Sequence, residues 1–230
     1  MKEQNDILQE GLDRIMRDVF EKSLNDLHQM MLEMGQDCQC IIANTYKALI
    51  KNDLEVVDNI RSYENKINHL ERNIENKCMQ LLLLQAPIAT DLRKVSSALK
   101  MITDLERIGD HAYDIADIIK KNQNVPSYVG ELPFKTMAKT VMQMVDDCMR
   151  AFVNNDKDLA YAVIKEDDAV DQCFDEIYNH LADGIGAKNH ADLDLLMIAK
   201  YYERIGDHAV NIAEWVVYAI TNEHMGIGEK

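Results

Sequence analysis

The sequence predicts an all-α protein made of two pseudo-symmetric three-helix bundles. The heptapeptide ERIGDHA occurs twice, at 106–112 and at 203–209. Apolar residues recur every three or four positions over long stretches, and only 9 of the 230 residues are glycine and 3 are proline. Seven consecutive identities are too many to arise by chance, so we expect the chain to be a duplicated helical unit.

Three helices are expected in the first half. The first covers about 3–51, with Gly35 as a candidate bend. The second covers about 53–84, and Asp53 is suited to cap its N-terminus. Because proline is excluded from a helix interior but tolerated in a first turn, Pro87 is expected to open a third helix that runs to about residue 121.

The second half repeats this plan after a break. Residues 122–133 contain two of the three prolines and a glycine, which is typical of a linker. Helices are then expected at about 134–154, 156–182 and 191–221. The predicted organisation is a first bundle at 1–121, a linker at 122–133 and a second bundle at 134–230.

The internal match extends beyond the heptapeptide. Asn52-Asp53 aligns with Asn155-Asp156 at an offset of 103, and apolar positions of the second and fifth helices keep that offset. The two signature helices are offset by 97, as Asp110 and Asp207 illustrate. The second copy is therefore six residues shorter than the first between these two points. The turn that holds Pro87 in the first copy is the natural place for the deletion.

Composition and charge exclude several classes of function. A net charge of −15 argues against a protein that grips nucleic acid and against one that lies on an anionic lipid surface. Cations and basic protein surfaces are the natural partners. Five cysteines without a CxxC pair are typical of reduced intracellular thiols, and neither a signal segment nor a membrane-spanning run is apparent. We therefore expect a cytoplasmic protein without direct membrane insertion.

Pairs of acids one helical turn apart are the candidate functional groups. Each heptapeptide carries a glutamate and an aspartate at i and i+4, which places both carboxylates on one helix face, away from the apolar seam and facing outward. The second and fifth helices also carry polar pairs at i and i+4, and these two pairs align with each other. The pair in the second helix has an asparagine where the pair in the fifth helix has an aspartate. The four pairs are Glu106/Asp110, Glu203/Asp207, Glu64/Asn68 and Asp167/Asp171.

Two interpretations of these acids remain open. Oxygen ligands without histidine or thiol at matching spacing suit hard cations such as Mg²⁺, Mn²⁺, Ca²⁺ or ferric iron. A solvated acidic face is the simpler interpretation in so acidic a chain. If the second and third helices are antiparallel neighbours, Glu64 and Asn68 lie beside Glu106 and Asp110. In the second copy, the pair Asp167/Asp171 would lie beside the pair Glu203/Asp207 in the same way.

The other residues of the heptapeptide favour structural roles. Arg107 and Arg204 are expected to form ion pairs with a neighbouring helix, and contact with an acidic partner is the alternative. A mid-helix glycine costs about 1 kcal/mol relative to alanine, so Gly109 and Gly206 predict close packing. The two histidines that follow the aspartates point about 100° away from them and are interpreted as packing groups.

No catalytic signature is present in the sequence. It lacks GxxxxGK, HExxH, GxSxG and GxGxxG motifs. Neither Glu106 nor Glu203 has a histidine three residues later, as the di-iron carboxylate bundles require. A non-enzymatic protein is therefore expected, with a metal-dependent hydrolase or oxidase as the runner-up and an inert helical scaffold as a third alternative.

The doubled ERIGDHA, followed by DIAD and NIAE, belongs to a longer recognisable pattern. Together with the stretch QAPIATDLRKVSSALKMITDLERIGDHA and the Asn-Asp openings of the second and fifth helices, it resembles the PhoU family of accessory proteins in bacterial phosphate-specific transport. The resemblance covers about 8–222. It implies a cytoplasmic protein, often a homodimer, that damps phosphate uptake and phosphate-starvation signalling.

The resemblance also implies partners and a metal. The partners are the ATPase of the phosphate ABC transporter and the phosphate sensor histidine kinase. The metal is iron or zinc on repeated (E/D)xxxD motifs at the bundle surface. Asn68 and Asn211 depart from that pattern, since Asn211 stands where the first copy has Asp114, so the two sites are expected to differ. The residues that match are Glu106, Asp110, Glu203, Asp207, Asp167, Asp171, Glu64 and Asp114.

Overall fold

Six long α-helices account for most of the chain in the computed structural model, which describes residues 2–51, 53–83, 89–121, 126–183 and 190–223. The all-α prediction is confirmed, and no strand occurs within these residues. The helices are α1 (Lys2–Lys51), α2 (Leu54–Leu83), α3 (Ala89–Lys121), α4 (Phe134–Asn154), α5 (Lys157–Asp183) and α6 (His190–Thr221). The position expected for Pro87, the first residues of the predicted linker (122–125) and residues 184–189, between the fifth and sixth predicted helices, lie outside the described residues.

The Asn-Asp turns cap the helices that they precede. Asp53 accepts hydrogen bonds through its Oδ1 from the backbone N–H groups of Glu55 and Val56, at 3.0 and 3.4 Å. Asp156 accepts one from Leu159 at 3.0 Å. These bonds satisfy donors that a helix N-terminus leaves unpaired. The prediction that Asp53 caps the second helix is therefore confirmed.

The predicted linker contains more structure than its prolines suggested. A short 3₁₀ helix covers Ser127–Glu131, and the side chains of Val129 and Leu132 are buried. The hydroxyl of Tyr128 donates a hydrogen bond to Asp192 in the first turn of α6. The segment is thus fastened to the second bundle rather than forming a free connection, which the proline pattern alone could not reveal.

Helices α1, α2 and α3 pack together as one three-helix bundle, and α4, α5 and α6 form a second. The bundles meet along two helix pairs, α3 with α6 and α1 with α4. Buried side chains of both bundles form one continuous hydrophobic cluster among the described residues. The two bundles therefore share a core. The division of the chain into separate domains at residues 121 and 134 stays a prediction.

Both signature glycines mark places where helices approach closely. A Cβ added at Gly109 would stand 3.1 Å from Ile67 of α2, and one added at Gly206 would stand 3.3 Å from Val170 of α5. Ile67 and Val170 are aligned by the offset of 103, so the same contact occurs in both bundles. The close packing predicted from these glycines is confirmed.

Gly35 has a related role between the bundles. Helix α1 continues through this residue without interruption. A Cβ at Gly35 would stand 2.5 Å from the Cγ atom of Met149 on α4. The glycine therefore leaves room for the methionine, and packing explains its presence without a break in the helix.

No helix formed by the described residues is long and apolar enough to cross a membrane. This finding agrees with the hydropathy pattern of the sequence.

We predict that Gly35→Ala lowers the unfolding temperature, whereas Gly11→Ala leaves it unchanged or raises it. Alanine favours a helix by about 1 kcal/mol over glycine at either position. At Gly35 the new methyl group displaces Met149, and overpacking of this kind costs about 1–3 kcal/mol. Nothing lies within 4 Å of a Cβ at Gly11, which makes it the matched control. Thermal unfolding by circular dichroism measures both variants, and equal stabilisation would contradict the packing role.

Candidate functional site: two acidic grooves

The first acidic groove lies between α2 and α3. Glu106 and Asp110 of α3 face Glu64 and Glu71 of α2 closely enough for their charges to interact. The expected neighbourhood of Glu64 and Glu106 is therefore present, and Glu71 joins it from about two turns further along α2. We define the first acidic groove by these four residues.

The carboxylates of this groove repel each other in a partly desolvated setting. Only 21% of the Glu106 side chain is exposed, so it lies deeper than the outward-facing position expected from its spacing. Burial, followed by the charge of Asp110, raises the pKa of Glu106 above its ordinary value. Burial and the charge of Glu75 likewise raise the pKa of Glu71. The groove is consequently a region of negative potential that favours a cation.

Asn68 occupies the place where the second copy has an aspartate. Its Nδ2 donates a hydrogen bond of 2.5 Å to Oε1 of Glu64. This bond links the carboxylate to a neighbouring side chain of α2 without adding a further negative charge. The asparagine thus lowers the charge of a groove that already holds four acids.

The second acidic groove, between α5 and α6, consists of Asp167, Asp171, Glu203 and Asp207. Asp167 is only 8% exposed, and its Oδ1 lies 3.1 Å from the position of a Cβ at Gly206. Asp171 is exposed on the same face of α5. Asp167 and Gly206 therefore meet across this groove.

The second groove pairs its glutamate with a lysine of the same helix, which the first groove lacks. Lys200 places its Nζ 2.5 Å from Oε2 of Glu203, and the same ammonium group lies 5.2 Å from the ring centroid of Phe174. The first copy has Thr103 in place of Lys200 and Glu71 in place of Phe174. The two grooves therefore occupy corresponding places but differ in the groups that surround their acids.

The two arginines pair with acids of their own helices. Arg107 lies 3.2 Å from Asp110 and Arg204 lies 3.4 Å from Asp207, and both guanidinium groups are exposed. Ion pairs with a neighbouring helix were expected. The three-residue spacing places each arginine beside the aspartate of its own heptapeptide, and that local pair forms instead.

The signature histidines meet between the two grooves, where α3 crosses α6. The rings of His111 and His208 stack with their centroids 5.3 Å apart. Nδ1 of His208 lies 2.8 Å from Oδ1 of Asp104, to which the Nδ2 of Asn211 also donates, at 3.2 Å. The interpretation of the histidines as packing groups agrees with this geometry.

Asp114 belongs to this crossing as well. It is hydrogen-bonded with Tyr201 of α6, whose ring lies 5.5 Å from that of His111. Burial, followed by the charge of His208, lowers the pKa of His111, and burial raises the pKa of Asp114. Asp114 therefore lies on the α6 side of α3, whereas Glu106 and Asp110 lie on the α2 side.

The carboxylates fit a hard cation by their chemistry but are not assembled as a ligand set. Within the described ranges, no three aspartate, glutamate, histidine or cysteine side chains converge closely enough to hold a metal ion together. Several are engaged in pairs with Arg107, Arg204 or Lys200. The metal prediction for the eight residues named from the sequence therefore stays a prediction.

Two members of these networks were missed by the sequence reasoning. Glu71 lies seven residues after Glu64, and Asp104 lies seven residues before His111, so each shares a helix face with a residue that was recognised. That spacing could have identified them. Their partners lie on other helices, however, and sequence spacing along one helix does not show which side chains meet across a groove.

The fold and the grooves together define a class: an all-α protein of two pseudo-symmetric three-helix bundles whose distinctive surface groups are carboxylates. The PhoU domain model matches residues 31–119 and 134–216. The chain therefore belongs to the PhoU family.

Individual relatives and solved structures agree with this assignment. The chain is 35% identical to the phosphate-specific transport system accessory protein PhoU homolog of Clostridium acetobutylicum, over 93% of this chain and 99% of that protein. The crystal structure of PhoU from Pseudomonas aeruginosa matches 89% of this chain and all of its own, with a TM-score of 0.82 at 31% identity. The phosphate transport system regulatory protein PhoU from Streptococcus pneumoniae matches with the same TM-score at 27% identity, over 90% of this chain and all of its own.

We predict that Glu106→Gln raises the unfolding temperature at pH 7 but has little effect near pH 4.5. Because the pKa of Glu106 is raised in the folded state, folding favours its protonated form. Stability therefore falls as the pH rises through the window above the ordinary value of 4.5, and glutamine removes that decline. Thermal unfolding at both pH values, in buffer with a chelator, measures the effect.

Glu203→Gln is the matched control for this prediction. It occupies the aligned position in α6 but is paired with Lys200, so the substitution removes an attraction instead of a repulsion. We expect an unchanged or lower unfolding temperature at pH 7. A rise of equal size in both variants would contradict the described difference between the grooves.

Proposed function

We propose that the protein is a non-enzymatic regulator of phosphate uptake and of phosphate-starvation signalling. It acts on the ATPase of the phosphate ABC transporter and on the phosphate sensor histidine kinase. Membership of the PhoU family supports this function, as do relatives named phosphate-specific transport system accessory proteins. The observation that carries it to this chain is the pair of acidic grooves held at corresponding places by the two bundles.

The grooves suit a docking role for physical reasons. The first groove gathers four carboxylates with two nearby guanidinium groups, those of Arg72 and Arg107, and the whole chain carries a net charge of −15. Complementary charge speeds encounter with a basic surface and selects against acidic ones. A basic surface on each partner is therefore the recognition chemistry that we assign to this face.

The remaining parts of the proposal follow the family. The protein acts in the cytoplasm as a homodimer and reaches the membrane through its partners. Carboxylates of the (E/D)xxxD motifs bind metal, either iron or zinc as in some family members or a harder ion such as Mg²⁺, Mn²⁺ or Ca²⁺. Support for metal comes from the oxygen donors and from the mutual repulsion in the first groove, which a cation would relieve.

We predict that Asp110→Lys and Asp207→Lys each derepress phosphate uptake when phosphate is abundant. Each substitution replaces a carboxylate of one groove with a cation and so weakens docking of a basic surface. Uptake of radiolabelled phosphate, in cells whose own copy of the gene is replaced by the variant, measures the effect. Glu131→Lys, at an exposed acid of the 3₁₀ helix, makes the same change of charge away from the grooves and should repress normally. Normal repression in both groove variants would contradict the proposal.

We predict that metal bound to protein purified without chelator is lost in the double variant Glu106→Gln/Asp110→Asn. Elemental analysis measures the metal, and a substrate screen on the same samples tests the rival hydrolase or oxidase. Metal without turnover would agree with a binding protein. Stoichiometric metal with turnover that depends on Glu106 would contradict the non-enzymatic function.

A further inference from the structure

The groove between α5 and α6 extends beyond its acids into an exposed apolar stretch. On α6, Leu193 is 58% exposed and Met197 is 46% exposed. On α5, the exposed Tyr178 contacts Phe174 with ring centroids 6.4 Å apart. Leu193 and Met197 lie one turn apart on α6, as Phe174 and Tyr178 do on α5, so each pair forms a stripe along one helix face.

Contacts along the groove fix how the two stripes align. Phe174 of α5 lies against Lys200 of α6, and Asp167 lies against Gly206. As the residue number rises on one helix it falls on the other, so the two helices run antiparallel. Tyr178 therefore lies at the level of Leu193 and Met197.

The groove has two chemically different ends. The apolar end holds Phe174, Tyr178, Leu193 and Met197. The acidic end is the second acidic groove, whose four carboxylates exceed the two nearby cations, Lys200 and Arg204. From Tyr178 to Asp167 the track spans 11 residues, about 16 Å or three turns of a helix.

The four residues of the apolar end are not repeated at the aligned positions of the first bundle. The residues aligned with Phe174 and Tyr178 are Glu71 and Glu75, and those aligned with Leu193 and Met197 are Ser96 and Lys100. Each of these four apolar side chains is thus matched by a polar or charged one in the same structural position. Solubility and packing would favour the polar version on an exposed face, so the apolar version needs another explanation.

We propose that the groove between α5 and α6 binds a basic amphipathic helix of another protein. Apolar residues of that helix contact Phe174, Tyr178 and Met197, and its lysines or arginines contact the second acidic groove. Exposed apolar stripes beside charged groups are the feature that helix-binding grooves share. A second copy of this chain fits poorly, because its own net charge of −15 would oppose the acidic end.

This inference extends the proposed function by naming the chemistry of one partner segment, and it is tested separately from that function. Phosphate uptake in cells tests the regulatory role, whereas peptide binding to the purified protein tests the groove. Either result can fail without the other.

The experiment uses fluorescein-labelled synthetic helical peptides and fluorescence anisotropy, in buffer with a chelator so that the carboxylates are free of the metal proposed above. One peptide carries two leucines at i and i+4, followed on the same face by lysines, and a second carries them in the reverse order, so that both helix directions are covered. A peptide of the same composition without an amphipathic face is the control. We expect saturable binding of one ordered peptide, weakened by added salt.

Matched variants locate the site. The double variant Tyr178→Ser/Met197→Ser should weaken binding by at least about tenfold, because central apolar anchors dominate such interfaces. Met79→Ser replaces a methionine of similar exposure, 51%, on α2 and should bind as the unchanged protein does. Asp171→Lys should weaken the lysine peptide but not one with glutamine in place of lysine. Circular dichroism verifies that every variant is folded.

Three results would overturn the proposal. The first is equal binding of the ordered peptides and the control peptide, or no binding of either. The second is a loss of affinity in Met79→Ser as large as in the double variant. The third is self-association of the unchanged protein in light scattering that the double variant abolishes, since the groove would then be occupied by a second copy.

Discussion

The antiparallel crossing of α3 and α6 is the constraint on which the rest of the molecule depends. Each heptapeptide supplies one histidine, and the rings of His111 and His208 stack at this crossing. Two hydrogen bonds flank the stacked rings, one between His208 and Asp104 and one between Tyr201 and Asp114. With the antiparallel contact of α1 and α4, the crossing joins the two bundles around one core. The outer faces of α3 and α6 are thereby fixed, and with them the directions in which both acidic grooves open.

The two copies of the duplicated unit share a backbone arrangement but differ in their exposed side chains. The glycine contacts with Ile67 and Val170 keep the same helix separation in both bundles. On this common frame, the α2–α3 groove carries Glu71 where the α5–α6 groove carries Phe174, and the α5–α6 groove has Lys200 in addition. Exposed positions can change in this way because they contribute little to packing, and the buried seam cannot.

Much of the fold could be predicted because local chemistry determines it. The spacing of apolar residues located the helices, Asp53 provided a cap, and Gly109 and Gly206 indicated close packing. The 3₁₀ helix at Ser127–Glu131 was not foreseen, since Tyr128 meets Asp192 and His180 of the second bundle only once the chain has folded. Local pattern therefore predicts elements better than it predicts how loops dock.

The candidate site was predictable in part, for the same reason. The acid pairs follow from i,i+4 spacing, so Glu106/Asp110 and Glu203/Asp207 were recognisable from the sequence alone. Which acids are desolvated and which are neutralised depends on neighbours from other helices, such as Glu71 and Lys200. The contrast between the two grooves became visible only when alignment of the copies was combined with those contacts.

The most direct test of this account is whether the two bundles unfold as one unit. Denaturant unfolding can be followed by far-ultraviolet circular dichroism, which reports all helices, and by fluorescence of Trp215, the single tryptophan, which lies on α6. If the α3–α6 crossing and the shared core join the bundles, the two signals will give one coincident transition. Two separate transitions, with Trp215 following only one of them, would contradict it.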